Sequence, residues 1–395
     1  LLAWLALAPF GTAEAQEELR STESAAVVVH RQPAVPIASL RLSVLANDPP
    51  GFSGAGHLIQ HLLYPSLRER AARVGGAVQV QRTADAVVYT ATGPATELEY
   101  LADLLRSTLR PEEPAPDAML RVARELREER LAEWETAPAH ARSMLRAQLF
   151  PADLSAAGTD RSAARFTAAS IPEAWNTMYR PERVSVVAVG DVYLADVQEA
   201  FRDLPQARVA NLELERDSVV LGPLAPAEAT RAWVGRAYLT SDLEPAAVTA
   251  VARLLGDVIR DRLPTAQVEA EHWWTHHGQA IVLVAAIPGP QIDAARRAME
   301  SAVATLRRDL TFLHVLNAST AIRREMLFYA RTPDRMAEVI GQFVDRDGDP
   351  DAAERFFATL DTIDDEDVRV VLQRLEERTP ALVEIPPQAL RPRAR

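Results

Sequence analysis

The 395-residue sequence contains no cysteine and no lysine, so all 43 basic residues are arginines. Without thiols the chain forms neither disulfides nor thiolate metal sites, and any metal must be held by histidines and carboxylates. The formal net charge of -12 argues against nucleic acid as the partner. Hydrophobic residues make up 48% and charged residues 25% of the chain, which is typical of a globular protein with sizeable cores. No stretch is long and apolar enough to predict a transmembrane helix.

The first residues, Leu1 to Phe10, form an apolar run that is too short to span a bilayer. Ala13 and Ala15 follow in the small-x-small spacing of a signal-peptide cleavage site. We therefore interpret residues 1–15 as the remnant of a signal peptide and expect an exported, periplasmic protein. A buried N-terminal helix is the alternative interpretation of the same pattern.

Strand and helix patterns are mixed along the chain without the regular spacing of βαβ units. In the first half, strands are predicted at 25–30, 37–45, 77–80, 87–91 and 184–190. After a proline-containing stretch the pattern repeats, with strands predicted at 232–239, 281–287 and 381–385. This predicts an α+β fold with two similar α/β sandwich domains, each an antiparallel-rich sheet packed with helices, at 16–215 and 216–395.

Two histidines, His57 and His61, are four residues apart on a predicted helix. At this spacing both rings lie on one face of the helix and can reach the same metal ion. A hydrolytic zinc site needs about three protein ligands, and Glu129 on a later predicted helix is the candidate carboxylate. Surface or helix-packing histidines show the same spacing at least as often, so the pair alone leaves both interpretations open.

The residues around this pair carry more information than the pair itself. The inverted zinc motif H-x-x-E-H appears here as His57-Leu58-Ile59-Gln60-His61, preceded by Gly54-Ala55-Gly56. Gly75-Gly76 leads on to Tyr89, and Arg124 to Leu131 and Tyr179 to Asp191 continue the pattern. In these segments the chain resembles the insulinase/pitrilysin/mitochondrial processing peptidase family. The resemblance covers about residues 25–200, and from 230 to 385 it extends only to the pattern of strands and helices.

The resemblance implies half of a metallopeptidase clamshell, with zinc held by His57, His61 and Glu129. Gln60 stands where this family has the glutamate that acts as the general base. An amide can hydrogen-bond to water, but it has no titratable oxygen near pH 7 and cannot take up the proton. A positioned base contributes about two to four orders of magnitude in rate, so hydrolysis by this route should be largely lost.

Other positions also depart from the family pattern. The resemblance implies substrate contacts by Gln79, which replaces an asparagine, and by Tyr89. Arg82 replaces a small hydroxyl residue. The family also has a segment with an Arg/Tyr pair, and the corresponding residues here, 261–265, lack that segment. A histidine cluster surrounds two tryptophans in the second half; its members are His272, His276 and His277. We favour an aromatic-rich strand or loop there over a second metal site.

Three functional hypotheses follow from these observations. The favoured one is a non-catalytic pseudopeptidase that binds peptides or partners an active family subunit, because half-length relatives work in pairs. The second is an active zinc metallopeptidase that cleaves unstructured peptides with a non-standard base in place of Gln60. The third is a peptide-binding or scaffold protein. Under the first two, zinc is the expected cofactor, in a site that is either formed or vestigial, and the assembly is a heterodimer or a homodimer.

Overall fold

The computed structural model describes residues 27–45, 48, 54–83, 86–110, 112–135, 137–150, 166–204, 231–276 and 278–387. The predicted signal-peptide remnant, 1–15, and the predicted domain boundary at 215–216 lie outside these residues and stay predictions. Within the described ranges, no helix combines the length and the apolar character needed to cross a membrane.

Most elements agree closely with those expected from the sequence pattern, but the strand Gln267–Thr275 is not among the predicted strands. The elements of the first half are β1 (Val27–Arg31), β2 (Ile37–Leu45), α1 (Ala55–Ala72), β3 (Ala77–Arg82), β4 (Ala86–Pro94), α2 (Leu98–Arg106), α3 (Pro116–Glu135), α4 (Ala137–Leu149), α5 (Ile171–Met178), β5 (Val184–Gly190) and α6 (Leu194–Ala200). Those of the second half are β6 (Ala232–Leu239), α7 (Pro245–Arg262), β7 (Gln267–Thr275), β8 (Gly278–Ile287), α8 (Ile292–Asp309), α9 (Phe312–Tyr329), α10 (Pro333–Asp347), α11 (Ala352–Thr362), α12 (Asp365–Glu377) and β9 (Ala381–Ile385).

The described residues group into two compact units, neither of which is continuous in sequence. Unit 1 holds the described residues of Leu1–Ala123, Thr159–Arg216 and Met326–Glu354. Unit 2 holds those of Arg124–Gly158, Asp217–Glu325 and Arg355–Arg395. Each unit is built on one sheet that is packed with helices, so the predicted α+β class with two sandwiches is confirmed.

Unit 1 is built on a five-stranded sheet with the order β1-β5-β2-β4-β3, antiparallel except for the β1–β5 pair. Side chains alternate along β2, so that the fully buried Leu40 and Leu42 share one face of the sheet. Arg41 and Ser43 are also buried but point to the opposite face. That face packs against α10, a helix that the chain supplies from its second half.

A buried ion pair joins α10 to the sheet of unit 1. Arg41 is 1% exposed, and its Nη2 donates to Oδ2 of Asp345 at 2.6 Å. The other carboxylate oxygen of Asp345 accepts a hydrogen bond from Ser185 on β5 at 3.0 Å. Removing one partner of such a pair leaves an uncompensated buried charge and typically costs about 3–5 kcal/mol. The pair therefore fixes the position of α10 on β2 and β5.

Unit 2 is built on a four-stranded antiparallel sheet with the order β7-β8-β6-β9. Its core includes Leu145 of α4, which packs with Val282 and Val284 of β8 and with Val383 of β9. The helices α7 and α8 also pack against this sheet. The helix α4 comes from the first half of the chain, so each sheet is packed with one helix from the opposite half.

Candidate functional site

The start of α1 is fixed by a carboxylate that the sequence analysis did not identify. Oδ2 of Asp48 accepts a hydrogen bond from the Gly54 backbone at 2.7 Å, and Oδ1 accepts one from Gly56 at 2.9 Å. The first N–H groups of a helix have no acceptor within the helix, and a negative charge there is favourable. A Cβ at Gly56 would lie 2.9 Å from the Met178 side chain, so glycine permits the close approach of α1 to α5. In the sequence, the sign of this cap is a single acidic residue six positions before Gly54.

The two histidines of α1 lie side by side on the helix. Their Nε2 atoms are 3.1 Å apart, their ring centroids are 4.8 Å apart, and both side chains are half-buried. Glu129 is an exposed residue of α3. One ligand atom from each of His57, His61 and Glu129 lies within 4.8 Å of the others. The structure thus brings together the three residues that the sequence predicted as metal ligands.

The donor set of this group fits zinc. Two imidazoles and a carboxylate form the ligand set of many hydrolytic zinc sites, with a fourth position left open. Zinc–nitrogen bonds of about 2.0–2.1 Å in a tetrahedron separate two ligand nitrogens by about 3.3 Å. The 3.1 Å between Nε2 of His57 and Nε2 of His61 is close to that separation. Zinc uses both lone pairs, so its binding displaces any proton shared by these two nitrogens.

Gln60 lies on the same helix, three residues from His57 and one from His61. Its Oε1 atom is buried and has no hydrogen-bond partner among the described residues. A buried acceptor without a donor costs about 1–3 kcal/mol, so the amide does not serve the packing of α1. Its oxygen accepts hydrogen bonds and its nitrogen donates them, but neither atom takes up a proton near pH 7. Position 60 can therefore orient a polar ligand without acting as a base.

Gln79 lies on β3, which is an edge strand of the unit 1 sheet. Its side chain is exposed, and it stands in a cross-strand row with Thr90 of β4 and Arg41 of β2. Gln81, two residues on, points to the same face of the sheet. The predicted contact of Gln79 with substrate remains a prediction, but its position on the edge strand is the one that such a contact requires.

Tyr89 on β4 is fully buried, and its hydroxyl lies 2.7 Å from the hydroxyl of Tyr179. Burial raises the pKa of the Tyr89 phenol well above its usual value, and burial likewise raises the pKa of Tyr179. Both phenols are therefore protonated at neutral pH and bonded to each other. Tyr89 presents no surface to a peptide in this structure, and its predicted role in substrate binding stays a prediction.

His272 lies on strand β7 of unit 2, where both of its ring nitrogens are bonded. Nδ1 lies 2.7 Å from Oγ1 of Thr249, and Nε2 lies 2.8 Å from Oε1 of Gln279. The ring also stacks on Trp274, with 5.3 Å between centroids. The Gln279 amide nitrogen donates to two backbone carbonyls, which fixes its orientation and places a proton on Nε2 of His272.

No metal-binding group in the described part of the chain includes this second histidine cluster. His276 lies in the turn that follows β7, and His277 lies outside the described residues. The bonds of His272 link β7 to α7 and β8, which is a structural arrangement rather than a ligand set.

Neither a protein-family model nor a curated protein matches the sequence significantly. Solved structures match its fold. The peptidase M16 inactive domain from Pseudomonas fluorescens aligns with a TM-score of 0.77 at 14% identity, over 93% of this chain and 98% of that chain. A protease from Helicobacter pylori aligns with a TM-score of 0.74 at 14% identity, over 88% and 93%. A chain of Complex III2 from Candida albicans aligns with a TM-score of 0.72 at 12% identity, over 91% and 93%.

These alignments define the class of fold. The chain has the architecture of the M16 peptidases, the insulinase and pitrilysin-like group, and the resemblance seen in its motifs is confirmed at the level of the fold. Identities of 12–14% establish architecture alone, so the chemistry of this chain has to be argued from its own residues.

Proposed function

We propose that this chain is a non-catalytic homologue of the zinc metalloendopeptidases, which binds extended peptides and pairs with an active subunit of the same fold. The observation that carries the proposal is Gln60. It stands beside His57, His61 and Glu129, which could hold a metal ion, at the position where the family resemblance places the base.

The chemistry of an amide at this position favours binding over turnover. Zinc held by the two histidines and the glutamate supplies Lewis acidity toward water and peptide carbonyls. Hydrolysis also needs a side chain that removes a proton from the attacking water and delivers one to the leaving amine. Gln60 can hydrogen-bond to water or to a peptide carbonyl through Oε1 or Nε2, but it holds no transferable proton at neutral pH. We therefore expect a peptide to be held and not cleaved.

Peptide binding is supported by the edge strand β3. In the described residues β3 hydrogen-bonds only to β4, so alternate N–H and C=O groups face away from the sheet. An extended peptide can add to such an edge as a further strand, with its main chain supplying affinity. The exposed side chains along β3 are small or polar; they are Ala77, Gln79 and Gln81. None of these three is a charge or a proline, which natural edge strands use to block pairing; Arg82, the charged last residue of β3, is half-buried.

Pairing with a homologous subunit is supported by the fold matches. One matched structure is named an inactive domain of an M16 peptidase, and another is a chain of a multi-subunit complex. A chain that has the fold and the metal ligands but lacks the base can contribute binding surface to a partner that carries out the chemistry. A homodimer is the alternative assembly.

The test is to restore the base. The purified wild-type chain and the Gln60→Glu variant are compared for cleavage of a quenched, unstructured fluorogenic peptide, with and without added zinc. We expect no chelator-sensitive turnover by the wild type. We expect zinc-dependent turnover by the variant at least about a hundredfold above it, because a positioned base contributes about two to four orders of magnitude.

Gln198→Glu is the matched control, because it adds the same carboxylate at an exposed position of α6. It is expected to stay as inactive as the wild type. Chelator-sensitive turnover by the wild-type chain would overturn the proposal in favour of an active peptidase with another base. A Gln60→Glu variant that neither binds zinc nor cleaves would instead show that the three ligands do not hold a metal.

A further inference from the structure

A polar pocket of about 400 Å³ lies within unit 1, beside the edge strand β3. Its floor is the sheet face on which Arg41, Thr90 and Gln79 form one cross-strand row. Its wall is the end of α9 and the first turns of α10, which contribute Asp334 and Glu338 among others. The pocket is therefore lined on one side by β3, the edge strand that we assign to peptide binding, and on the other by α10, a helix from the second half of the chain.

Polar groups in this pocket are left without internal partners. The side chains of Gln79, Gln81 and Thr90 make no hydrogen bond within the described residues. Arg41 is 1% exposed, and its Nε has no partner there either. A buried polar group without a partner, such as Nε of Arg41, costs about 1–3 kcal/mol, whereas the exposed amides of Gln79 and Gln81 can bond to solvent until a ligand replaces it. This concentration of unbonded donors and acceptors around one cavity is typical of a surface that a polar ligand completes.

The charges of the pocket do not balance. Arg41 is paired with Asp345 at 2.6 Å, and Arg335 is paired with Glu338 at 2.8 Å. Asp334 has no ion pair in the described part of the chain, although it lines the same pocket. Two neutral pairs and one free carboxylate leave a single negative charge. One added cation makes the pocket neutral and finds acceptors on Asp334, Gln79 and Gln81.

The geometry of a sheet edge limits which side chains can supply that cation. Neighbouring strands lie about 4.8 Å apart, so a peptide added to β3 lies a full strand spacing outside Gln79 and Gln81. A side chain on the α10 face has to pass over β3 to enter the pocket. Only a long, unbranched side chain spans that distance, and of these only lysine and arginine carry a positive charge.

We infer that this pocket receives a lysine or arginine side chain from a peptide bound along β3, with Asp334 as the residue that selects it. The inference rests on the proposed binding of peptides at β3 and adds the class of side chain that this site prefers. An acid in the first turn of α10 also suits the helix dipole whatever lies nearby, so the test has to separate selection from helix stability.

The test uses three fluorescein-labelled, unstructured decapeptides that are identical except for one central residue, which is arginine, glutamine or glutamate. Dissociation constants are measured by fluorescence anisotropy with the full chain at low salt. We expect the arginine peptide to bind about tenfold more tightly than the glutamine peptide, because a hydrogen bond to a charged group is worth about that factor or more. The glutamate peptide is expected to bind most weakly.

Asp334→Asn is expected to reduce the arginine preference to less than about twofold, because it removes the charge at nearly constant size. Asp196→Asn is the matched control, since Asp196 is an exposed first-turn acid of α6 in the same unit. It should leave the preference intact. Gln81→Arg, which places a cation of the chain itself at the exposed mouth of the pocket, should also abolish the preference.

The outcomes separate this inference from the proposed function. Equal binding of the three peptides, or an arginine preference that survives Asp334→Asn, overturns the pocket assignment and leaves peptide binding intact. Binding of none of the peptides overturns both. Thermal unfolding of each variant shows whether a lost preference accompanies lost structure, and Gln81→Arg tests the pocket without touching α10.

Discussion

Gln60 of unit 1 and Gln279 of unit 2 both lie next to histidines, but their side-chain amides differ in hydrogen bonding. Oε1 of Gln279 accepts from His272, and its Nε2 donates to two backbone carbonyls, at 2.9 and 2.6 Å. Oε1 of Gln60 is buried among the described residues without a partner. A fully bonded amide stabilises the fold, whereas an unbonded amide beside a candidate metal-binding group is available to a ligand.

The edge strands β3 and β7 show the same difference. On β7, Glu269 and Glu271 both accept from Arg142 at 2.6 Å, and Trp273 donates to Glu271 at 2.7 Å. On β3, Gln79 and Gln81 make no side-chain hydrogen bond within the described ranges. The polar groups of β7 are used within unit 2, and those of β3 remain for a partner. Three experiments test whether this contrast separates function from stability.

The largest expected effect concerns zinc. We expect His61→Ala to lower zinc affinity by at least about a hundredfold, since it removes one of three ligands and even outer partners of ligands contribute about 10- to 100-fold. His272→Ala should leave the affinity unchanged, because both of its ring nitrogens are bonded within unit 2. Isothermal titration calorimetry with zinc measures both. A comparable loss in the two variants would contradict the assignment of the metal group to α1.

The second experiment compares the two glutamines directly. Gln279→Leu leaves two carbonyls and one histidine N–H without a partner, so we expect it to lower the free energy of unfolding by about 1–3 kcal/mol. Gln60→Leu removes no hydrogen bond to a described residue and removes one unpaired buried acceptor, so it should not lower that free energy and should raise it by up to about 1–3 kcal/mol. Urea unfolding followed by circular dichroism measures both values. Equal losses would show that Gln60 is bonded as a structural residue.

The smallest effect is expected for Tyr89, a bonded polar residue of unit 1. Tyr89→Phe removes the hydrogen bond between the hydroxyls of Tyr89 and Tyr179. It should lower the free energy of unfolding by about 1 kcal/mol at pH 7. Because burial raises the pKa of Tyr89 and Tyr179 above the usual 10.0, the folded chain keeps protons that the unfolded chain releases. Their contribution is complete below about pH 10 and is lost as the pH rises above it.

The variant has one such phenol fewer, so its deficit relative to the wild type should shrink as the pH rises above about 10. Urea unfolding at pH 7, 9 and 11 provides the measurement. Parallel curves for wild type and variant over this range would mean that Tyr89 titrates normally in the folded chain.

Most elements of the fold could be predicted from the sequence, because amphipathic periodicity is a property of short segments. The predicted strand 37–45, for instance, is β2 to the residue. The packing partner of an amphipathic helix is not encoded in its periodicity. Nothing local indicates that α10 packs on β2, and the buried pair of Arg41 and Asp345 joins residues 304 positions apart.

The candidate site divides in the same way. The grouping of His57, His61 and Glu129 was predictable from two sources. The motif places both histidines on one face of a helix, and alignment with the family places Glu129 at the third ligand position. The pocket beside β3 was not predictable, because Asp334 reads in the sequence as an ordinary first-turn acid of a helix. Only the packing of α10 on the sheet places it near Gln79.

The ion pair of Arg41 and Asp345 also bears on how the chain is made. During synthesis Asp345 of α10 leaves the ribosome 304 residues after Arg41 of β2. Until then Arg41 lacks the carboxylate that compensates it, and the helix that covers this face of the sheet does not yet exist. Unit 2 has the opposite order, because α4 is made before the sheet it packs on. Both units therefore wait for late segments of the chain: unit 1 for α10, which covers a sheet already made, and unit 2 for β9, the last strand of its sheet.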